Sequence, residues 1–146
     1  MNSKACDNFR KKRAPKKVQL EKDFAGIRAG QWMFVGTPQI VAKYLEKIPV
    51  GETVSIPKLR NQIARRHRCD AMCPVSTAIF LRIVADWAVE ELDAGVPPDK
   101  VVPFWRAIGP DDKIAKRIAI DSQRLAALRA AEESPDDSAD QSRRTR

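Results

Sequence analysis

The chain has 146 residues, about one domain's worth on a mode of roughly 100–150, with 43% hydrophobic residues and a formal net charge of +8. The positive surplus points to a polyanionic partner, with a merely solvated basic surface as the plain alternative. No apolar run nears the roughly 18 residues of a membrane span, so no membrane association is expected. The N-terminal charges are not followed by an apolar stretch, so no secretory signal is expected either. Three cysteines, Cys6, Cys69 and Cys73, are an odd number without framework spacing. They suit a reducing, cytoplasmic setting better than a disulfide-stapled scaffold.

Residues 1–17 hold seven Lys and Arg and little that can enter a core, and are expected to form a disordered basic arm. Residues 134–146 have no large apolar side chain and read as a disordered tail. One folded domain is expected over 18–133.

Within it, Trp32, Met33 and Phe34 form an apolar patch that should pack on the body. Thr37 can cap a helix with Pro38 in its first turn. The spacing of Ile40, Val41, Tyr44, Leu45 and Ile48 gives that helix one buried face, and Pro49 ends it. Glu52–Ile56 is a short β-rich stretch. Pro57 then opens a helix over 57–67, with Leu59 and Ile63 inward and Lys58, Arg60, Arg65, Arg66 and Arg68 outward. Cys73-Pro74 starts the longest helix, about 74–93, apolar on more than one face and ended by Gly95. On its polar side Arg82 and Asp86 are four residues apart and positioned to pair. Val101–Ile108 reads as a strand or extended segment. Short helices follow near 112–119 and 122–133. The fold class is mainly α with a small β element.

Three segments carry a resemblance. Ile48, Pro49, Gly51 and Ser55 match an Ile-Pro-x-Gly pattern that runs into Ser/Thr at a helix start, with Leu59 near the apolar position beyond it. Leu81-Arg82-Ile83-Val84-Ala85 is similar to an Ala-Arg-x-Val-Gly stretch. Pro103-Phe104-Trp105-Arg106-Ala107-Ile108 is similar to a Pro-Cys-His-Arg-Val signature. In this order they resemble the DNA-binding domain of alkylguanine-DNA alkyltransferases, over roughly 37–133. The resemblance implies a winged helix-turn-helix, and Arg82 as the arginine that enters the base stack in place of an extruded base.

The acceptor cysteine is replaced by Phe104 and the histidine that activates it by Trp105. Ile56 stands where the family has a tyrosine. The interval from Gly51 to Pro103 is longer than the family's, with the excess at Arg65–Pro74 and between Glu90 and Val101. An aromatic residue at the acceptor position is the mark of the alkyltransferase-like proteins, which bind alkylated DNA without transferring the group. The family's glutamate that supports its histidine has no assignable counterpart.

The expected function is therefore non-enzymatic binding of duplex DNA, alkylated or not, as in DNA repair, with a repair protein as a further partner and no cofactor. Ser55, Lys58, Arg60, Arg65, Arg66, Arg82 and Arg106 are the candidate DNA contacts. Pro103, Phe104 and Trp105 are the candidate pocket for a flipped base, held by stacking, with core packing of the aromatics as the alternative. Two other readings stay open. Cys73, at a helix N-terminus where the dipole favours a thiolate, is the candidate acceptor if alkyl transfer occurs. A protein-interaction module on the same fold is the other. His67, Cys69 and Cys73 lie close in sequence, but their spacing fits no common zinc pattern, so no metal is expected. His67 is expected to be an exposed polar residue.

Overall fold

A computed structural model describes residues 4–135, with side chains to Glu133. The chain is mainly helical around a small sheet. In order, the elements are α1 (Lys4–Arg10), β1 (Lys16–Gln19), β2 (Trp32–Val35), α2 (Pro38–Glu46), α3 (Ile56–Arg66), β3 (Ala71–Met72), α4 (Pro74–Asp93) and α5 (Ser122–Pro135). Three short 3-10 turns, Pro98–Lys100, Phe104–Arg106 and Lys113–Arg117, fill the interval between α4 and α5. The sheet has the order β1-β2-β3, with β1 and β2 antiparallel and β3 parallel to β2.

The three central helices start alike. Thr37 Oγ1 accepts the Ile40 amide at 3.1 Å, Ser55 Oγ accepts the Lys58 amide at 3.2 Å, and Cys73 Sγ accepts the Ser76 amide at 3.4 Å. A proline follows each cap within the first turn, where no amide donor is needed. Their inward faces meet in one core. Val41 and Leu45 come from α2, Leu59 and Ile63 from α3, and Leu81, Val84 and Ala88 from α4.

The N-terminal arm departs from expectation. Its described part, from Lys4 onward, is folded. Phe9 of α1 stacks on Trp87 of α4 with ring centroids 4.3 Å apart, and Arg13 lies over the Phe80 ring. Lys16 and Lys17 belong to β1, paired with Val35 and Phe34. Aromatic partners supplied by the body account for order that the arm's composition does not foretell. Residues 1–3 of the arm and 136–146 of the expected tail lie outside the described residues.

Two expected β segments are not strands. Glu52–Ser55 is a loop whose one tie to the other motif is the Val54 amide, donated to the Arg106 carbonyl at 2.8 Å. Val101–Ile108 coils into a 3-10 turn instead of extending. Pro103 has no amide to give a ladder. The Phe104 and Ile108 amides bond locally, to the Val102 and Phe104 carbonyls, both at 2.9 Å. Among the described residues, no helix is long and apolar enough to cross a membrane.

Candidate nucleic-acid interface

Arg106 joins the two segments that resemble the Ile-Pro-x-Gly and Pro-Cys-His-Arg-Val patterns. Its guanidinium donates to the Ile48 carbonyl at 2.7 Å, while its carbonyl accepts the Val54 amide. The turn between these partners needs Gly51, whose φ is +87°. The Glu52 amide donates to the Pro49 carbonyl at 3.0 Å, which puts Gly51 where a type II turn demands positive φ.

Helix α5 clamps the same segment from the other side. Arg106 makes two bonds to the Glu132 carboxylate, at 3.0 and 2.8 Å, and Arg129 Nε donates to the Trp105 carbonyl at 2.7 Å. Burial pushes the Glu132 carboxyl up. The hydrogen bonds and charge of Arg106, with the nearby Trp105 indole and Gly51 amide, outweigh it and hold the group below its usual range. The Trp105 Nε1 proton makes no well-aligned hydrogen bond.

This geometry corrects two expectations. Arg106 is not an outward cation: its side chain is 12% exposed and already bound to Glu132, so it has no free face for a phosphate. Pro103, Phe104 and Trp105 line no open pocket. Pro103 is buried, and Phe104 and Trp105 are 0% and 1% exposed. The two rings meet edge to face at 5.3 Å, a contact that favours core packing by about 1 kcal/mol. The core alternative is what the structure contains. The Phe104 ring is packed in the interior.

The remaining candidates lie on two helices. Ser55 serves as the cap of α3. Lys58, Arg65 and Arg66 are exposed on that helix, and Arg60 is half-buried. Arg82 is half-exposed on α4, 3.6 Å from Asp86. It is flanked along its face by Val75 and Ile79, themselves 52% and 53% exposed. Residues 75, 79 and 82 follow helical spacing, so α4 presents an apolar stripe that ends in a guanidinium.

This stripe borders an open groove of about 1090 Å³ between α1, α4 and the Lys113–Arg117 turn. Lys4, Lys113 and Arg117 line it with Arg82, and so do Asp86, Glu90 and Asp93. Burial raises the Asp86 carboxyl above its ordinary range, against the opposing pull of Arg82.

Cys73 is 6% exposed, and its sulfur is engaged as the cap of α4. His67 is half-buried, not exposed. Its ring stacks on Phe34 at 4.1 Å, and burial, then Lys17, Arg66 and Lys43, push its pKa below the ordinary value. Among the described residues no three His, Cys, Asp or Glu side chains converge as metal ligands.

Two features escaped the sequence reading. Glu132 and Arg129 reach the Pro103–Ile108 segment from more than 20 residues away, and no local signal marks them. Asn61 and Gln62 lie on the exposed face of α3 between Lys58 and Arg65, and their i, i+3, i+4 and i+7 spacing was open to view. In comparisons with protein-family models, with curated proteins and with solved structures, nothing matches this chain.

Proposed function

We propose that this is a cytoplasmic, non-enzymatic DNA-binding protein of the alkyltransferase-like kind, with α4 as the element that approaches the duplex. The observation that carries this is the α4 stripe, in which half-exposed Arg82 stands next to exposed Val75 and Ile79. Exposed apolar side chains cost solvation without a partner. Apolar wedges beside a cation are what architectural proteins insert between base steps. The pair to Asp86 holds Arg82 weakly, since an exposed i, i+4 pair contributes about 0.3–0.5 kcal/mol. Releasing Arg82 to DNA therefore costs little.

Two further observations support the reading. Arg106 brings the two resembling segments together, and Glu132 holds it there with two hydrogen bonds. In place of an open base pocket the chain has a sealed aromatic pair, so the favoured targets are duplex sites that unstack easily. An alkylated guanine is one of these, because its pairing is already weakened. The winged helix-turn-helix belongs to this proposal.

The test is a titration of plain duplex and of duplex with one O6-alkylated guanine, each at two salt concentrations. Affinity is expected to fall steeply with salt, to be higher for the alkylated duplex, and to drop at least tenfold in Arg82→Ala. A salt-independent or absent interaction would remove the proposal.

One observation favours a second reading, a protein-interaction module. Asp86, Glu90 and Asp93 also line the groove, where they repel phosphates but suit a basic or mixed protein segment. Capture of a partner that survives nuclease treatment, together with no DNA binding, would decide for it.

A further inference from the structure

Helix α3 carries Lys58, Arg60, Arg65 and Arg66 and no acidic residue. Lys58 stands in its first turn, where a cation opposes the helix dipole, and no carboxylate on the helix offsets the four charges. Arg65 and Arg66, in the last turn, complement the dipole, so the cost of the arrangement falls on Lys58 and on repulsion between neighbouring cations.

Lys58, Asn61, Gln62 and Arg65 share one face by spacing. All four are exposed, and none has a side-chain hydrogen bond or ion pair among the described residues. At the C-terminal end of the helix, Lys17 of β1 and Lys43 of α2 join Arg66 around His67.

We propose that α3 is a base-reading helix that enters the major groove of duplex DNA. Asn61, Gln62 and Arg65 face base edges, and the cations at its C-terminal end hold phosphates. This rests on the DNA-binding reading above and adds to it a second contact helix and a sequence preference. The side-chain chemistry is specific: Asn and Gln bond adenine in a bidentate manner and Arg bonds guanine.

The dimensions agree. A helix about 10–12 Å across fits a major groove about 12 Å wide and not a minor groove of about 6 Å. Lys58 to Arg65 spans about 10 Å along the axis, or roughly three base steps of 3.4 Å. The preference should therefore cover three or four base pairs that include adenine and guanine.

The test is selection of bound duplexes from a random-sequence library by the full chain, by an Asn61→Ala/Gln62→Ala double variant and by Lys43→Ala. Alanine is favourable at exposed helical positions, so the variants retain the fold, with circular dichroism as the check. The full chain is expected to enrich a short motif. The double variant should lose the motif while keeping its affinity for unselected duplex within about twofold. Lys43→Ala should keep the motif and lower the salt slope by about one. Retention of duplex with no enriched motif, or a motif unchanged in the double variant, overturns the role of α3 and leaves DNA binding standing. Failure to retain any duplex in a salt-dependent manner overturns DNA binding and this inference with it.

Discussion

Arg106 and Glu132, 26 residues apart in sequence, form a two-bond ion pair whose side chains are only 12% and 17% exposed. The same guanidinium holds the Ile48 carbonyl, so one side chain links the loop before α3 to the last helix. Removing one member of a nearly buried pair leaves the other charged and unpaired, which costs far more than the pair itself contributes.

Glu132→Gln is therefore expected to lower stability by about 3 kcal/mol at neutral pH. Because Glu132 is held below its usual range in the fold, its contribution is fully present above the unfolded carboxyl value near 4. It is lost as pH falls through the lower folded value. Denaturant unfolding of both proteins from pH 7 to pH 2 should show the difference shrinking toward the acid end. A constant difference would contradict the pairing.

The sealed position of Phe104 makes a chemical prediction. Incubation of the chain with duplex containing O6-alkylguanine should leave its intact mass unchanged, and Cys73→Ser should behave identically, since the Cys73 sulfur is buried and caps α4. A mass gain lost in Cys73→Ser would establish alkyl transfer instead. Phe104→Ala should destabilise the protein by about 3–5 kcal/mol, measured by denaturant midpoint, as core loss and not as loss of a surface contact.

Asp86 faces Arg82 and lines the groove. Asp86→Asn should tighten duplex binding severalfold at low salt by freeing Arg82 and removing a carboxylate that repels phosphate. The stability sign is opposite to that of Glu132. Burial raises the Asp86 carboxyl, so its favourable protonated form is present below the unfolded value near 4 and lost as pH rises through the raised folded value. Asp86→Asn is thus expected to stabilise at pH 7 and to have no effect near pH 3. Weaker duplex binding in this variant would count against Arg82 as a DNA contact.

Legibility from sequence followed locality. The caps Thr37, Ser55 and Cys73, each with its proline, lie within a few residues of the amides they serve. Helices α2, α3 and α4 were accordingly readable to within a residue or two, and α4 to its ends. The sheet was not. Its strands are short, β1 is Lys-Lys-Val-Gln with no buried residue, and β3 is two residues set by pairing with β2 from 38 residues away. The order of α1 depends on Phe9 meeting Trp87, which no local pattern announces. At the site, helical spacing displayed Arg82 and the α3 cations. The turn of Arg106 inward depended on Glu132, and a basic residue reads as exposed until its distant partner is known.

Arg68 follows α3 with φ of +60°, the left-handed position that usually ends a helix with glycine. A non-glycine residue held there is strained by about 1 kcal/mol or more. Its side chain is exposed beside Arg66 at the cationic end of the helix. Arg68→Gly should relieve the strain and raise stability by up to about 1 kcal/mol, less what glycine adds to the entropy of the unfolded chain. If the end of α3 holds phosphates, the same variant loses one contact, so duplex affinity should fall severalfold and the slope of log affinity against log salt should decrease by about one. Thermal melting and a salt series on one duplex measure both effects. Higher stability with unchanged affinity would remove Arg68 from the interface, and lower stability would show that its side chain makes a contact that outweighs the backbone strain.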